Sequence, residues 1–85
     1  MHKIQHITAK ELDLLGYFYT KRKGHVRQIK AAVNMSEHTL LKYLHLLEKN
    51  NILASRKEGN LKIYEINLQS GFVKIFFSYF DLKKL

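Results

Sequence analysis

The chain has 85 residues, 46% of them hydrophobic, with 15 Lys and Arg against 7 Asp and Glu and a formal charge of +8. That length leaves room for one core, so 1–85 is expected to be a single domain, and the apolar content excludes a disordered tail. Cys is absent, which excludes disulfides, a thiolate nucleophile and a Cys-based zinc site, while the excess positive charge favours a polyanionic partner.

The opening Met1-His2-Lys3-Ile4-Gln5-His6 lacks the apolar region of a signal peptide. The longest apolar run, around Ile75-Phe76-Phe77, falls far short of the ~20 residues that span a bilayer. A soluble cytoplasmic protein without membrane partners is the expectation. Next, Thr8-Ala9-Lys10-Glu11 fits a capping box, in which hydroxyl and carboxylate each satisfy a free amide at a helix start. Leu12, Leu15 and Tyr19 share one side of the helix that follows, with Leu14 and Phe18 flanking them. It should stop near Lys23-Gly24, with Gly24 as a left-handed cap and Lys21, Arg22 and Lys23 meeting the negative end of the helix dipole.

A second helix is predicted over 26–33, with Val26, Ile29 and Val33 at core spacing. Asn34-Met35-Ser36 forms the turn: Asn34 tolerates positive φ, Met35 can enter the core and Ser36 can cap the next helix. That third helix, about 36–50, repeats Leu40, Leu44 and Leu47 on one face. Its outer face carries Glu37, His38, Leu41, Lys42 and His45. Two strands follow over 52–57 and 61–68, joined by a hairpin tip at Glu58-Gly59-Asn60 where Gly59 supplies positive φ. In the second strand Leu61, Ile63 and either Tyr64 or Ile66 are expected against the core, with Lys62 and Glu65 in water. Ser70 should cap a last helix over 71–84.

This order of helix, helix, Asn-Met-Ser turn, helix, strand, basic hairpin, strand and helix resembles a winged helix-turn-helix of the ArsR or MarR type. The resemblance covers 8–68 and is carried best by Ile29-x-x-Ala32-Val33-Asn34-Met35-Ser36-x-x-Thr39-Leu40-x-x-x-Leu44-x-x-Leu47-x-x-x-x-Ile52-Leu53. Asn34 stands where that family more often has Gly. The fold class implied is α+β: a three-helix bundle with a two-stranded β-wing, plus the C-terminal helix. The function implied is sequence-specific binding of double-stranded DNA as a transcription regulator, acting as a repressor by occupying its operator.

The residues give that reading a chemistry. A B-DNA major groove, ~12 Å wide, admits one helix whose first turns reach base edges. Lys42 can bond guanine or a phosphate, Glu37 can accept from cytosine, Leu41 can touch a thymine methyl, and His38 and Thr39 lie on the same two turns. Ser36 can cap the helix and present its amino end to a phosphate. Arg56, Lys57 and Lys62, in the wing at 56–62, are expected on the backbone or in the minor groove, with Arg27 as a phosphate clamp beside Lys21, Arg22 and Lys23.

No Ser-His-Asp order, paired carboxylates or Gly-rich phosphate loop is present, so neither catalysis nor a cofactor is expected. Five His residues raise a metal reading, but only His2 and His6 are spaced for it, and no metal site is assigned. In the last helix Phe72, Ile75, Phe76, Tyr79 and Phe80 form a stripe, and Val73 and Phe77 add apolar surface elsewhere. One small domain has little surface to cover both sides. The segment 70–84 is therefore expected to form a homodimer through Phe72, Val73, Phe76, Phe77 and Phe80. The alternative is a winged-helix protein-interaction module within a transcription, replication or segregation complex.

Overall fold

The structure, a computed structural model, describes residues 8–84. Helix α1 (Ala9–Lys21) begins on the expected capping box: Thr8 Oγ1 accepts the Glu11 N–H at 3.2 Å and the Glu11 carboxylate accepts the Thr8 N–H at 3.0 Å. The helix ends at Arg22, which takes a positive φ of 72° with ψ −36° and whose N–H donates to the Phe18 carbonyl at 3.0 Å. The cap thus falls before Gly24, where the sequence put it. Gly24 lies instead in strand β1 (Lys23–His25), a third strand too short to betray itself by alternation. Glycine is needed there because a Cβ would run into the Tyr17 hydroxyl.

β1 leads straight into α2 (Val26–Ala32), capped by His25: its Nδ1 accepts the Gln28 N–H at 3.4 Å while Gln28 Oε1 accepts the His25 N–H at 3.0 Å. Val33 leaves that helix in an extended conformation, φ −114° and ψ 156°. Asn34 is not at positive φ, contrary to expectation; the residue that takes it is Asn51, φ 62°. It follows α3 (Glu37–Lys49), where the Asn51 N–H donates to the Glu48 carbonyl at 3.0 Å and the Ile52 N–H to that of Leu47 at 2.9 Å. The extended Val33 turns the chain between α2 and α3, so no left-handed residue is required between them.

β2 (Leu53–Glu58) and β3 (Leu61–Ile66) form the wing, with Gly59 at φ 63° in its tip. β3 is central in an antiparallel sheet of order β1-β3-β2. Its register sets Lys23 opposite Glu65, Arg56 opposite Ile63 and Lys57 opposite Lys62. Helix α4 (Gly71–Lys83) starts at Ser70, whose hydroxyl accepts the Val73 N–H at 3.3 Å.

Leu14, Leu15 and Phe18 of α1, Ile29 of α2 and the expected Leu40, Leu44 and Leu47 of α3 are fully buried, and Ile52, Leu53, Tyr64 and Ile66 close the core from the sheet. The buried side of α1 is therefore centred on Leu14, Leu15 and Phe18, with Leu12 and Tyr19 half-buried beside it. Leu61 is a correction: it is half exposed, because the wing extends past the core and Leu61 belongs to its outermost pair. Phe72 and Val73 are a second correction. They are buried in this chain's own core and cannot face a partner copy.

Phe77 and Phe80 hold α4 on α1. Tyr19 packs edge-on to Phe77 with ring centres 5.1 Å apart and lies 5.2 Å from Phe80, and its hydroxyl donates to the Asp81 carboxylate. The Arg22 guanidinium sits 4.9 Å above the Phe77 ring. What stays uncovered on α4 is a row at helical spacing, Ile75, Tyr79 and Leu82, exposed at 58%, 43% and 67%.

Candidate nucleic-acid interface

The first turn of α3 is built by Ser36. Its Oγ accepts the Thr39 N–H at 3.2 Å and donates to Thr39 Oγ1 at 3.0 Å, so the Ser36 hydroxyl is spent on the helix end and on Thr39. Thr39 is half-buried in that arrangement. Because Leu40, Leu44 and Leu47 are committed to the core, Glu37, His38, Leu41, Lys42 and His45 are all exposed on the other side. The Lys42 ammonium lies 5.9 Å from the Tyr43 ring centre, at the outer limit of a cation–π contact.

Beside this face lies a broad hollow. Its walls are the start of α2 (His25, Val26, Arg27, Lys30), Glu37 at the head of α3, and Asn60, Leu61 and Lys62 at the end of the wing. Three cations against one carboxylate give it a positive character, and Arg27, Glu37 and Lys62 of the expected set all border it. Lys30, Asn60 and Leu61 were not anticipated. Lys30 was legible: it stands three positions after Arg27 and so shares its helix face. The wing residues were not, because their place depends on β1 drawing β3 up against α2.

The three wing cations do not act together. Successive residues of a strand point to opposite faces, so Arg56 and Lys57 diverge. Arg56 turns to the outer side, where its guanidinium bonds Glu58 at 2.9 Å and Glu65 at 2.7 Å. These two carboxylates, Glu58 first, hold its pKa above the ordinary value. It lines a separate hollow with Tyr17, Lys21, Lys23, Gly24, Gln28 and Ile63. Burial raises the Tyr17 phenol there, and its hydroxyl donates to the Lys23 carbonyl at 3.2 Å. Lys21 and Lys23 thus lie with Arg56 and away from the hollow beside α3, and Arg22 is stacked on Phe77.

Lys57 and Lys62 share the side that faces α3. Lys62 lies 3.6 Å from the Glu48 carboxylate, whose other oxygen accepts the Ser55 hydroxyl. The Ser55 hydrogen bond and then the Lys62 ammonium hold the Glu48 carboxyl below its ordinary 4.5, against burial. Contact with the Tyr64 side chain and, after it, with Glu48 keeps Lys62 above its ordinary range. Among the described residues Lys57 makes no ion pair.

Among the described residues, too, no group of three or more His, Asp or Glu is placed to hold a metal, and no helix is long and apolar enough to cross a membrane. His2 and His6 lie outside the described residues. A helix-turn-helix whose second helix exposes a polar face beside a two-stranded wing defines the winged-helix class.

Comparison with solved structures agrees. AF1382 from Archaeoglobus fulgidus superposes with a TM-score of 0.75 at 16% identity over 96% of both chains. Sso10a-2, a DNA-binding protein from Sulfolobus solfataricus, gives 0.67 at 21% identity, covering 92% of this chain and 82% of its own. MepR, a transcription regulator of the Staphylococcus aureus multidrug efflux pump MepA, gives 0.75 at 20% identity over 95% of this chain and 63% of its own. The fold is the winged helix that this chain shares with those structures. No family model and no curated protein matches the sequence.

Proposed function

We propose that the chain is a sequence-specific double-stranded DNA-binding transcription regulator, a repressor that occupies its operator as a homodimer. The observation that carries this reading is the exposed Glu37, His38, Leu41, Lys42 face of α3 beside the hollow bordered by Arg27, Lys30 and Lys62. A rigid polar helix flanked by cations on one side supplies base-edge contacts and phosphate contacts from a single surface. The fold shared with transcription regulators supports it. In this reading α3 lies in the major groove, with Arg27, Lys30 and Lys57 on phosphates. Ser36 and Thr39 act by shaping the helix start, and Arg56 by stiffening the wing.

The homodimer uses the uncovered row on α4. Ile75, Tyr79 and Leu82, with half-buried Phe76 and Leu12 beside them, form one apolar strip. Phe77 and Phe80 serve the seat on α1. A two-fold pairing through the strip presents two copies of α3 to successive major grooves, ~34 Å apart, so the operator should be a pseudo-palindrome.

The test is fluorescence-anisotropy binding to duplexes selected from a random library, with competitor DNA across a salt series. A pseudo-palindromic consensus that survives competition is expected. Lys42→Ala should weaken the selected site by ~1–3 kcal/mol, and Lys57→Ala should reduce the salt slope by about one. Weak, sequence-blind binding that vanishes near physiological salt, unaffected by either change, sinks the regulator and favours a protein-interaction module.

A further inference from the structure

On the side of the wing that faces α3, Lys57 and Lys62 stand directly opposite each other across the β2–β3 ladder. Like charges so placed destabilise a hairpin unless an anion is close. The anion comes from another element. Glu48, in the last turn of α3, accepts the Ser55 hydroxyl of β2 with one oxygen and lies 3.6 Å from the Lys62 ammonium of β3 with the other. One carboxylate therefore ties the recognition helix to both strands of the wing. Its side chain is 30% exposed, against 57% and 48% for the two carboxylates that hold Arg56, so it is the least exposed carboxylate of the three, although Lys62 at 50% is more exposed than Arg56 at 42%. Lys62 also borders the basic hollow with Arg27 and Lys30, and its ammonium lies between Glu48, 3.6 Å away, and the Tyr64 ring, 5.1 Å from its centre.

A phosphate that takes Lys62 must displace a carboxylate and then leave that carboxylate near the polyanion. A fully docked complex has base and phosphate contacts to offset this; a chance encounter with unrelated DNA has few. We propose that Glu48 is a latch that withholds Lys62 from phosphates until the wing is seated, and so suppresses sequence-blind binding; this rests on the DNA-binding function proposed above.

Anisotropy of a labelled random-sequence duplex across a salt series tests it with the wild type, Glu48→Gln, Lys62→Ala and the double variant. Gln keeps the size of the side chain and an acceptor for Ser55, and removes the charge alone. Glu48→Gln should bind random DNA several-fold tighter, with the salt slope steeper by about 0.9, one further phosphate neutralised. Neither gain should appear when the same change is made in the Lys62→Ala background.

Unchanged affinity and slope in Glu48→Gln overturn the latch while leaving DNA binding intact. A gain that persists without Lys62 overturns it as well, since it would reflect general repulsion by the carboxylate. A wild-type chain that binds no duplex at any salt overturns both readings. The contact is also readable without DNA: the Glu48 carboxyl titration followed by carbon-13 NMR should move up toward 4.5 in Lys62→Ala, and a midpoint that stays put overturns the latch.

Discussion

Gly24 has a place that no other residue can fill without displacing a neighbour. A Cβ there would collide with the Tyr17 hydroxyl and lie 3.2 Å from the Tyr17 ring carbon and 3.3 Å from Gln28 Oε1. Gln28 cannot retreat freely, since the same oxygen completes the cap of α2 by accepting the His25 N–H. Gly24→Ala should therefore destabilise the fold by about 1–3 kcal/mol, as overpacking does. Tyr17→Phe removes the atom struck first and should recover part of the loss when combined with it. Urea unfolding of the single and double variants measures both; additive losses would deny the contact. Close approach, and not backbone freedom, is what the glycine provides here, because β1 is ordinary extended backbone.

The wing's attachment to α3 is a property of three elements and carries its own pH signature. The Glu48 carboxyl titrates below its ordinary 4.5 in the folded chain because Ser55 and Lys62 favour the charged form. The folded state thus binds its proton less readily than the unfolded state. The stabilisation is complete above 4.5 and is lost as pH falls through the lower folded value. Thermal melts of the wild type should fall more steeply than those of Glu48→Gln between pH 5 and 3, and parallel curves would deny the coupling. The outer pairs of Arg56 should add little, since exposed ion pairs are each worth about 0.2–1 kcal/mol.

For the whole molecule, the two sides of α4 have different work. Phe72 lies under 10% exposed, 4.6 Å from the Phe76 ring, and belongs to the core. Phe72→Ala should destabilise the chain by about 3–5 kcal/mol, which a small domain tolerates poorly. Ile75→Glu, on the uncovered row, should leave the melting temperature near that of the wild type and abolish self-association. Sedimentation at micromolar concentration reads the second effect directly: the wild type at twice the 10.1 kDa of one chain, the variant at one. A wild type that stays monomeric removes the homodimer.

Local rules were enough for most elements. The capping box at Thr8 and Glu11, the Leu40-Leu44-Leu47 stripe and the Ser36 and Ser70 caps are short-range patterns, and each element formed where its pattern lay. The exposed face of α3 followed, because a helix that buries one stripe must expose the other.

What the sequence left open depends on contacts between distant residues. β1 exists only because β3 is beside it, and that pairing brings the end of the wing to α2. The positive φ values went to Arg22 and Asn51 because the path of the chain required them there, although Gly24 and Asn34 are as capable by residue type. Phe72 reads the same as Ile75 and Tyr79 in a one-dimensional pattern; only the seating of α4 on α1 separated core from surface. Charge behaves in the same way. Composition counted the wing's cations, but strand parity and the carboxylates of Glu48, Glu58 and Glu65 decided that Lys57 alone is unpaired among the described ones. Periodicity records which residues share a face, and tertiary packing decides what that face meets.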